Sequence, residues 1–191
     1  MSQKLILPMN QCVFTAGYKN AAYLKQQGTP HYGVDLYGED SQNVYSPGAG
    51  VVFSCGYDSR FGNSIVIVYP DVQLPGGQVL DLSCRMFHFA KIRTFRGQLL
   101  QQGQLLGVAG NTGIAKVNGK PMGVHLHTEF DTDTDYPQYA YGIRSSGNII
   151  RRGVADSTID PSLVWHRGKG QSIRGEYAGW FRDRDVELPL M

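Results

Sequence analysis

The chain has three cysteines in 191 residues, Cys12, Cys55 and Cys84. None stands in a Cys-x-x-Cys pair, which argues against a zinc–thiolate knuckle. An odd count closes no disulfide framework, and one bridge plus one free thiol stays open at this level. Charge is also scarce: charged residues make up 18% of the chain, the net charge is +2, and there is no basic run. Nucleic acid therefore has no electrostatic footprint here. No apolar run reaches the roughly 20 residues of a membrane-spanning helix. The first eight residues, Met-Ser-Gln-Lys-Leu-Ile-Leu-Pro, lack the apolar segment of a signal peptide. The expectation is export by another route or prior removal of a leader. There is no His-Glu-x-x-His helix, which excludes the zincin arrangement. Solenoid repeats and low-complexity segments are missing too.

What is plentiful is glycine (24) and tyrosine (11). That balance favours an all-β, turn-rich protein over a helical one. The length suits one domain, or one domain with an appendage, with enough chain to bury a real core. We expect a domain over residues 1–165 and an extension over 166–191, docked or flexible, whose strong apolar pair is Trp180-Phe181. Residues 18–27 read as a loop or a single helical turn. Residues 50–55 form a β-branched strand, and Ser-Ile-Val-Ile-Val-Tyr at 64–69 is the strongest strand signal. Residues 70–78 contain Pro-Gly-Gly and read as a loop, with the return arm over 79–88. Residues 131–160 are long, polar and rich in Tyr, Gly and Arg, as functional loops often are. Residues 160–165 could close the core as a short helical turn after Pro161.

The most informative stretch is Gly123-Val124-His125-Leu126-His127-Thr128-Glu129-Phe130. Polar and apolar residues alternate, as in a strand with one buried face. His125, His127 and Glu129 then point one way, and Val124, Leu126, Thr128 and Phe130 the other. Two of the five histidines of the chain share this one face. Upstream, Pro30-His31-Tyr32-Gly33-Val34-Asp35 places His31 and Asp35 four apart, on one face of an extended segment with Gly33 between them. A catalytic zinc takes three protein ligands and keeps a fourth position open. His31, Asp35 and one histidine of the 125/127 pair supply two imidazoles and a carboxylate, which suit that ion. A spare histidine on the strand and His88 are left over.

At this point the motifs resemble a known family. His31-Tyr-Gly-Val-Asp35 resembles the H-x-G-x-D motif of the lysostaphin-type, or LytM-like, zinc metallopeptidases. His125-Leu126-His127 resembles their H-L-H motif. Met86-Phe87-His88 falls where the family carries an aromatic-Ala-His signature. Phe61-Gly62-Asn63 with Ile65-Val66-Ile67, and the Gly-rich turn from Gly107 to Gly113, also match in order. The resemblance runs from about Pro30 to Trp165. It implies an all-β fold of the duplicated-hybrid-motif type, an antiparallel sheet or sandwich forming a groove, with long loops. It implies Zn²⁺ held by His31, Asp35 and His127, with His88 and His125 as catalytic histidines that do not bind the metal. It implies a zinc endopeptidase acting on stem or cross-bridge peptides of bacterial peptidoglycan, at the cell wall, extracellular or periplasmic. The alternative it leaves is a non-catalytic peptidoglycan-binding or regulatory module on the same fold. A carbohydrate-binding β domain with a chance histidine cluster is a weaker third.

The sequence departs from the family pattern in three places. Met86-Phe87 replaces the commoner Tyr-Ala, Thr128 stands where an aromatic is frequent, and residues 70–78 and 131–160 are longer than in a minimal domain. Within the implied site, His125 is the better base or oxyanion partner, with His88 acting beside it on the leaving amine or the oxyanion. Glu129 either orients an imidazole or ends the strand as a solvated charge. His166 reads as a bystander. Tyr136, Tyr139 and Tyr141 either line the groove or pack on the core. Arg144, Arg151 and Arg152 are candidates for pairing with substrate carboxylates.

Overall fold

The computed structural model describes residues 1–113, 116–117, 120–138, 144–145, 148–149 and 156–175. Eleven strands form one sheet. In chain order they are β1 (Gln11–Ala16), β2 (Gly33–Gly38), β3 (Asn43–Tyr45), β4 (Gly50–Asp58), β5 (Gly62–Gln73), β6 (Val79–Ile92), β7 (Leu99–Leu100), β8 (Leu105–Ala109), β9 (Leu126–Asp131), β10 (Thr158–Ile159) and β11 (Ser172–Arg174). The sheet runs β11-β1-β2-β9-β6-β5-β4-β7, with β10 beside β9 and β8 joining β3 to β6. Every pairing is antiparallel except β1 with β11. Two short hairpins lie apart from it, Lys116–Val117 with Lys120–Pro121 and Arg144–Ser145 with Asn148–Ile149. The fold is thus the all-β class that the sequence implies. Among the described residues no helix is long and apolar enough to cross a membrane.

β9 is the strand that carries the H-L-H motif, and it is central rather than half-exposed. It pairs with β2 on one side and β6 on the other. All six of its residues are buried. The sequence alternation is still present, because one face is apolar core and the other is a buried polar site. On the apolar face Leu126 and Phe130 pack with Leu36, Phe14 and Trp165, and the Phe130 and Trp165 rings meet edge to face at 5.6 Å. Trp165 follows a 3₁₀ turn at Pro161–Leu163, where the Asp160 carboxylate accepts from the Ser162 N–H at 2.9 Å.

Two local readings change, and part of the C-terminal extension is seen docked. Residues 21–27 form a true helix, α1 (Ala21–Gln27). Asn20 caps it by accepting from the Ala22 and Tyr23 N–H groups at 2.8 and 3.1 Å, and Gly28 ends it in the left-handed conformation. β5 does not stop at Pro70 but continues to Gln73. The register slips between Tyr69 and Val72, with Asp71 at φ 53°, so the proline sits in a bulge where its missing N–H costs no ladder bond. Residues 172–174 pair with the start of β1, and the Gln171 amide beside them donates to Leu7 O and accepts from Leu7 N. Trp180-Phe181 lies outside the described residues.

Candidate metal and catalytic site

Register sets the site. Asp35 on β2 lies opposite His127 on β9, and His127 lies opposite Phe87 on β6. One step along, Gly33, Glu129 and Arg85 form the next row. His31 enters from the turn before β2. His31 Nε2 lies 2.9 Å from His127 Nδ1 and 3.1 Å from Asp35 Oδ1, and His127 Nδ1 lies 2.8 Å from that same oxygen. All three residues are buried. Gly33 is needed at its position, since an added Cβ would meet the Thr128 carbonyl and come 2.9 Å from His127 Nε2.

The outer hydrogen bonds fix which nitrogens face inward. His31 Nδ1 lies 2.7 Å from Gly17 O, and His127 Nε2 lies 3.1 Å from Glu129 Oε1. A carbonyl or carboxylate oxygen only accepts, so each of these nitrogens carries the hydrogen. The opposite nitrogens, His31 Nε2 and His127 Nδ1, face Asp35 Oδ1, and His127 Nδ1 offers a lone pair there only when a metal takes the place of its hydrogen. Three such atoms at hydrogen-bond distance need a proton or a metal cation among them. The rings are also held by stacking: Tyr23 on His31 at 4.3 Å, and Phe87 on His127 at 5.4 Å and 7°.

His88 and His125 sit next to this triad. His88 lies in a β6 bulge, at φ 67°, with its N–H donating to Phe61 O at 3.0 Å. Bulges re-aim side chains in this way, and a non-glycine residue held at positive φ is strained. Its Nδ1 donates to Thr112 O and that of His125 to Gly123 O, both at 2.8 Å. The two rings lie 4.9 Å apart, and His88 is 6.3 Å from the His127 ring. The Nε2 atom of each ring is thus turned away from these backbone bonds. Burial lowers the His88 pKa from 6.5 to about 4, so His88 is neutral at pH 7.

Residues 29–138 match peptidase family M23. The chain belongs to peptidase family M23. The peptidoglycan DD-endopeptidase ShyA of Vibrio cholerae is 32% identical over 100 residues, 52% of this chain and 20% of ShyA. The chain thus spans about a fifth of the length of the M23 relatives it matches. A zinc-containing peptidase from Vibrio cholerae matches in structure with TM-score 0.50 and 28% identity, over 68% of this chain and 37% of that one. The catalytic domain of lysostaphin from Staphylococcus simulans matches with TM-score 0.53 and 20% identity, over 78% and 87%. That last likeness is one of fold.

Charge gives a second view of this candidate site. Among the described residues the buried charged groups are Asp35, Arg85, Glu129 and Asp131. One guanidinium against three carboxylates leaves two negative charges, which a divalent cation balances. The donor set fits zinc, with two imidazoles and one carboxylate. Without the ion a proton takes part of that role. Burial opposes a charge on His127, but its bonds to Asp35 and Glu129 outweigh this and raise its pKa from 6.5 to about 9. Burial likewise disfavours the Asp35 carboxylate, and the bonds from His127 and His31 reverse this, holding it below the usual range.

A pH dependence follows for the metal-free protein. The folded state holds the His127 proton more tightly than the unfolded chain does. Its contribution to stability is full below pH 6.5 and is lost as pH rises through about 9. Chelator-treated protein is expected to lose thermal midpoint between those values. Zinc held by these residues would displace that proton, so excess zinc is expected to flatten the fall. A midpoint equally flat with and without zinc would contradict this.

Two residues escape sequence reasoning. Arg85 looks like an ordinary strand residue but is wholly buried, with Nε 2.7 Å from Glu129 Oε2 and Nη2 3.1 Å from Asp131 Oδ2. Tyr23 is carried by a helix too short to signal itself. Glu129 resolves toward orienting an imidazole, being buried and bonded to His127. His166 is buried away from the triad, beside Ile6. Tyr136 is exposed, while Tyr139, Tyr141, Arg151 and Arg152 lie outside the described residues. Arg144 pairs through its backbone with Ile149.

Proposed function

We propose that this chain is a zinc-dependent endopeptidase that cleaves peptide bonds in the stem or cross-bridge peptides of bacterial peptidoglycan, and that it acts at the wall, outside the membrane. The observation that carries the reading is the buried triad of His31 Nε2, Asp35 Oδ1 and His127 Nδ1, all within 3.1 Å of one another, beside the rings of His88 and His125. The M23 match and the likeness to ShyA support the substrate class.

The triad would hold the ion, leaving a coordination position open. Bound zinc supplies Lewis acidity and lowers the pKa of water to about 7. The residues of this chain do the rest. His125 accepts the proton of the attacking water at Nε2, with the new charge steadied by its Nδ1–H bond to Gly123 O. It then gives that proton to the leaving amine. His88, 4.9 Å away ring to ring, works from the same side on the developing oxyanion and leaving group. A cavity of about 590 Å³ opens beside them between α1 and residues 121–125. Asp35 and His125 reach its wall, and Asn20, Tyr23, Gln26, Tyr37 and Met122 line the remainder without a charge. Such a trough holds the chain flanking the scissile bond, so that attack proceeds on a positioned bond.

The test is hydrolysis of purified peptidoglycan. Zinc-loaded protein is expected to release soluble peptides with new amino termini, to stop on chelation and to resume when zinc returns. Zinc-loaded protein that binds the wall and releases no amines would instead make this fold a binding module.

A further inference from the structure

Arg85 is an expensive residue in its place. It is fully buried and surrounded by strands, where a guanidinium loses its hydration. Its fork is almost wholly used: Nε to Glu129 Oε2 at 2.7 Å, Nη2 to Asp131 Oδ2 at 3.1 Å, and Nη1 to Pro137 O at 3.2 Å. Apolar residues would fill this row of the sheet at lower cost if only packing were required. Glu129 is shared between two donors, since one oxygen faces Arg85 and the other faces His127 Nε2 at 3.1 Å. The carboxylate has no rotational freedom while both bonds stand. The same guanidinium holds Pro137 O, where the long segment after β9 begins.

We propose that Arg85 is a positioning residue: by clamping Glu129 it obliges His127 to carry its hydrogen on Nε2 and so to offer Nδ1 to the metal. This rests on the zinc reading above. A His127 free to choose its hydrogen would spend part of its time with Nδ1–H pointing at Asp35, and that form cannot bind an ion. Such outer partners typically change metal affinity ~10–100-fold. The argument needs no contact between Arg85 and the metal. It needs only that a carboxylate with both oxygens committed cannot act as a donor, whereas an amide can.

Two variants keep the fold within reach. Glu129→Gln is isosteric, but its amide has one oxygen for two donors, Arg85 Nε–H and His127 Nε2–H. Arg85→Lys keeps the charge and loses the fork. Met86→Ala is the control for simple destabilisation, since Met86 is buried in the same strand on the opposite, apolar face. Zinc affinity is read by competition with a chelator of known strength, under conditions where each protein is folded by circular dichroism. The His127 Nε2–H is read in the zinc-loaded proteins as a slowly exchanging imidazole proton resonance.

Glu129→Gln and Arg85→Lys are each expected to weaken zinc ~10–100-fold and to lose the protected imidazole proton. The double variant should be no weaker than the worse single one, because both act through one carboxylate. Met86→Ala should keep both affinity and proton. Unchanged affinity in the two site variants would overturn the proposal, as would equal weakening in Met86→Ala. Wild-type protein that takes up no zinc would sink the metal reading itself, a result distinct from either.

Discussion

Replacing His127 with alanine is expected to remove zinc and hydrolysis together. His127 is the hub of the site. Its Nδ1 faces His31 Nε2 at 2.9 Å and Asp35 Oδ1 at 2.8 Å, and its Nε2 faces Glu129 at 3.1 Å. Losing it would leave two of the three proposed ligands, one fewer than a catalytic zinc site uses. It also leaves Asp35 and Glu129 as buried carboxylates with one partner fewer. The loss of affinity should exceed the ~10–100-fold typical of outer-shell changes, so that dialysed protein carries essentially no zinc. Elemental analysis after dialysis, on protein shown to be folded, checks this. Retention of a full equivalent of zinc would remove His127 from the ligand set.

The neighbouring histidine should behave in the opposite way. His125→Ala is expected to keep zinc and to lose ~10²–10⁴-fold in turnover, the usual weight of a general acid–base group. His125 Nδ1 is turned to its own Gly123 carbonyl at 2.8 Å, not toward the triad. Removing it would leave His31, Asp35 and His127, the three proposed ligands, untouched. His88→Ala should give the same pattern, and His88→Asn is the safer variant because asparagine tolerates the φ of 67° found there. Zinc content and turnover measured on the same samples separate the two classes. If His125→Ala emptied the site while His127→Ala left it full, the roles on this strand would be reversed.

How much of this was legible in the sequence depends on the range of the signal. The period of two in residues 124–130 put His125, His127 and Glu129 on one side, and the structure has that arrangement. The same period could not say that both faces are buried. That follows from β9 lying between β2 and β6, a pairing set by residues some 40 and 90 positions away. Gly33 was legible as a spacer, but not as a contact limited by the Thr128 carbonyl and His127. Arg85 was not legible at all. An arginine in a strand is normally read as a solvated side chain, and only the β6–β9 register puts it opposite Glu129. Residues 70–78 read as a loop, and the bulge at Asp71 lets the strand pass Pro70 and run on to Gln73. Helix α1 was legible only as a loop or a single helical turn, because seven residues give barely two turns of periodicity. His88 was marked by motif alone. Its left-handed backbone, which aims the ring, leaves no trace in composition.

The central claim is a metal held by His31, Asp35 and His127, and the most direct test is crystallographic. Diffraction data from zinc-soaked or co-purified crystals, collected on both sides of the zinc absorption edge, locate the ion by its anomalous signal. The account predicts one strong peak among these three side chains, bonded to His31 Nε2, His127 Nδ1 and an Asp35 oxygen at ~2.0–2.2 Å. His88 and His125 should be outside bonding distance. An anomalous peak ligated by His125 or His88 in place of His127, or no peak in a crystal soaked at saturating zinc, would contradict it.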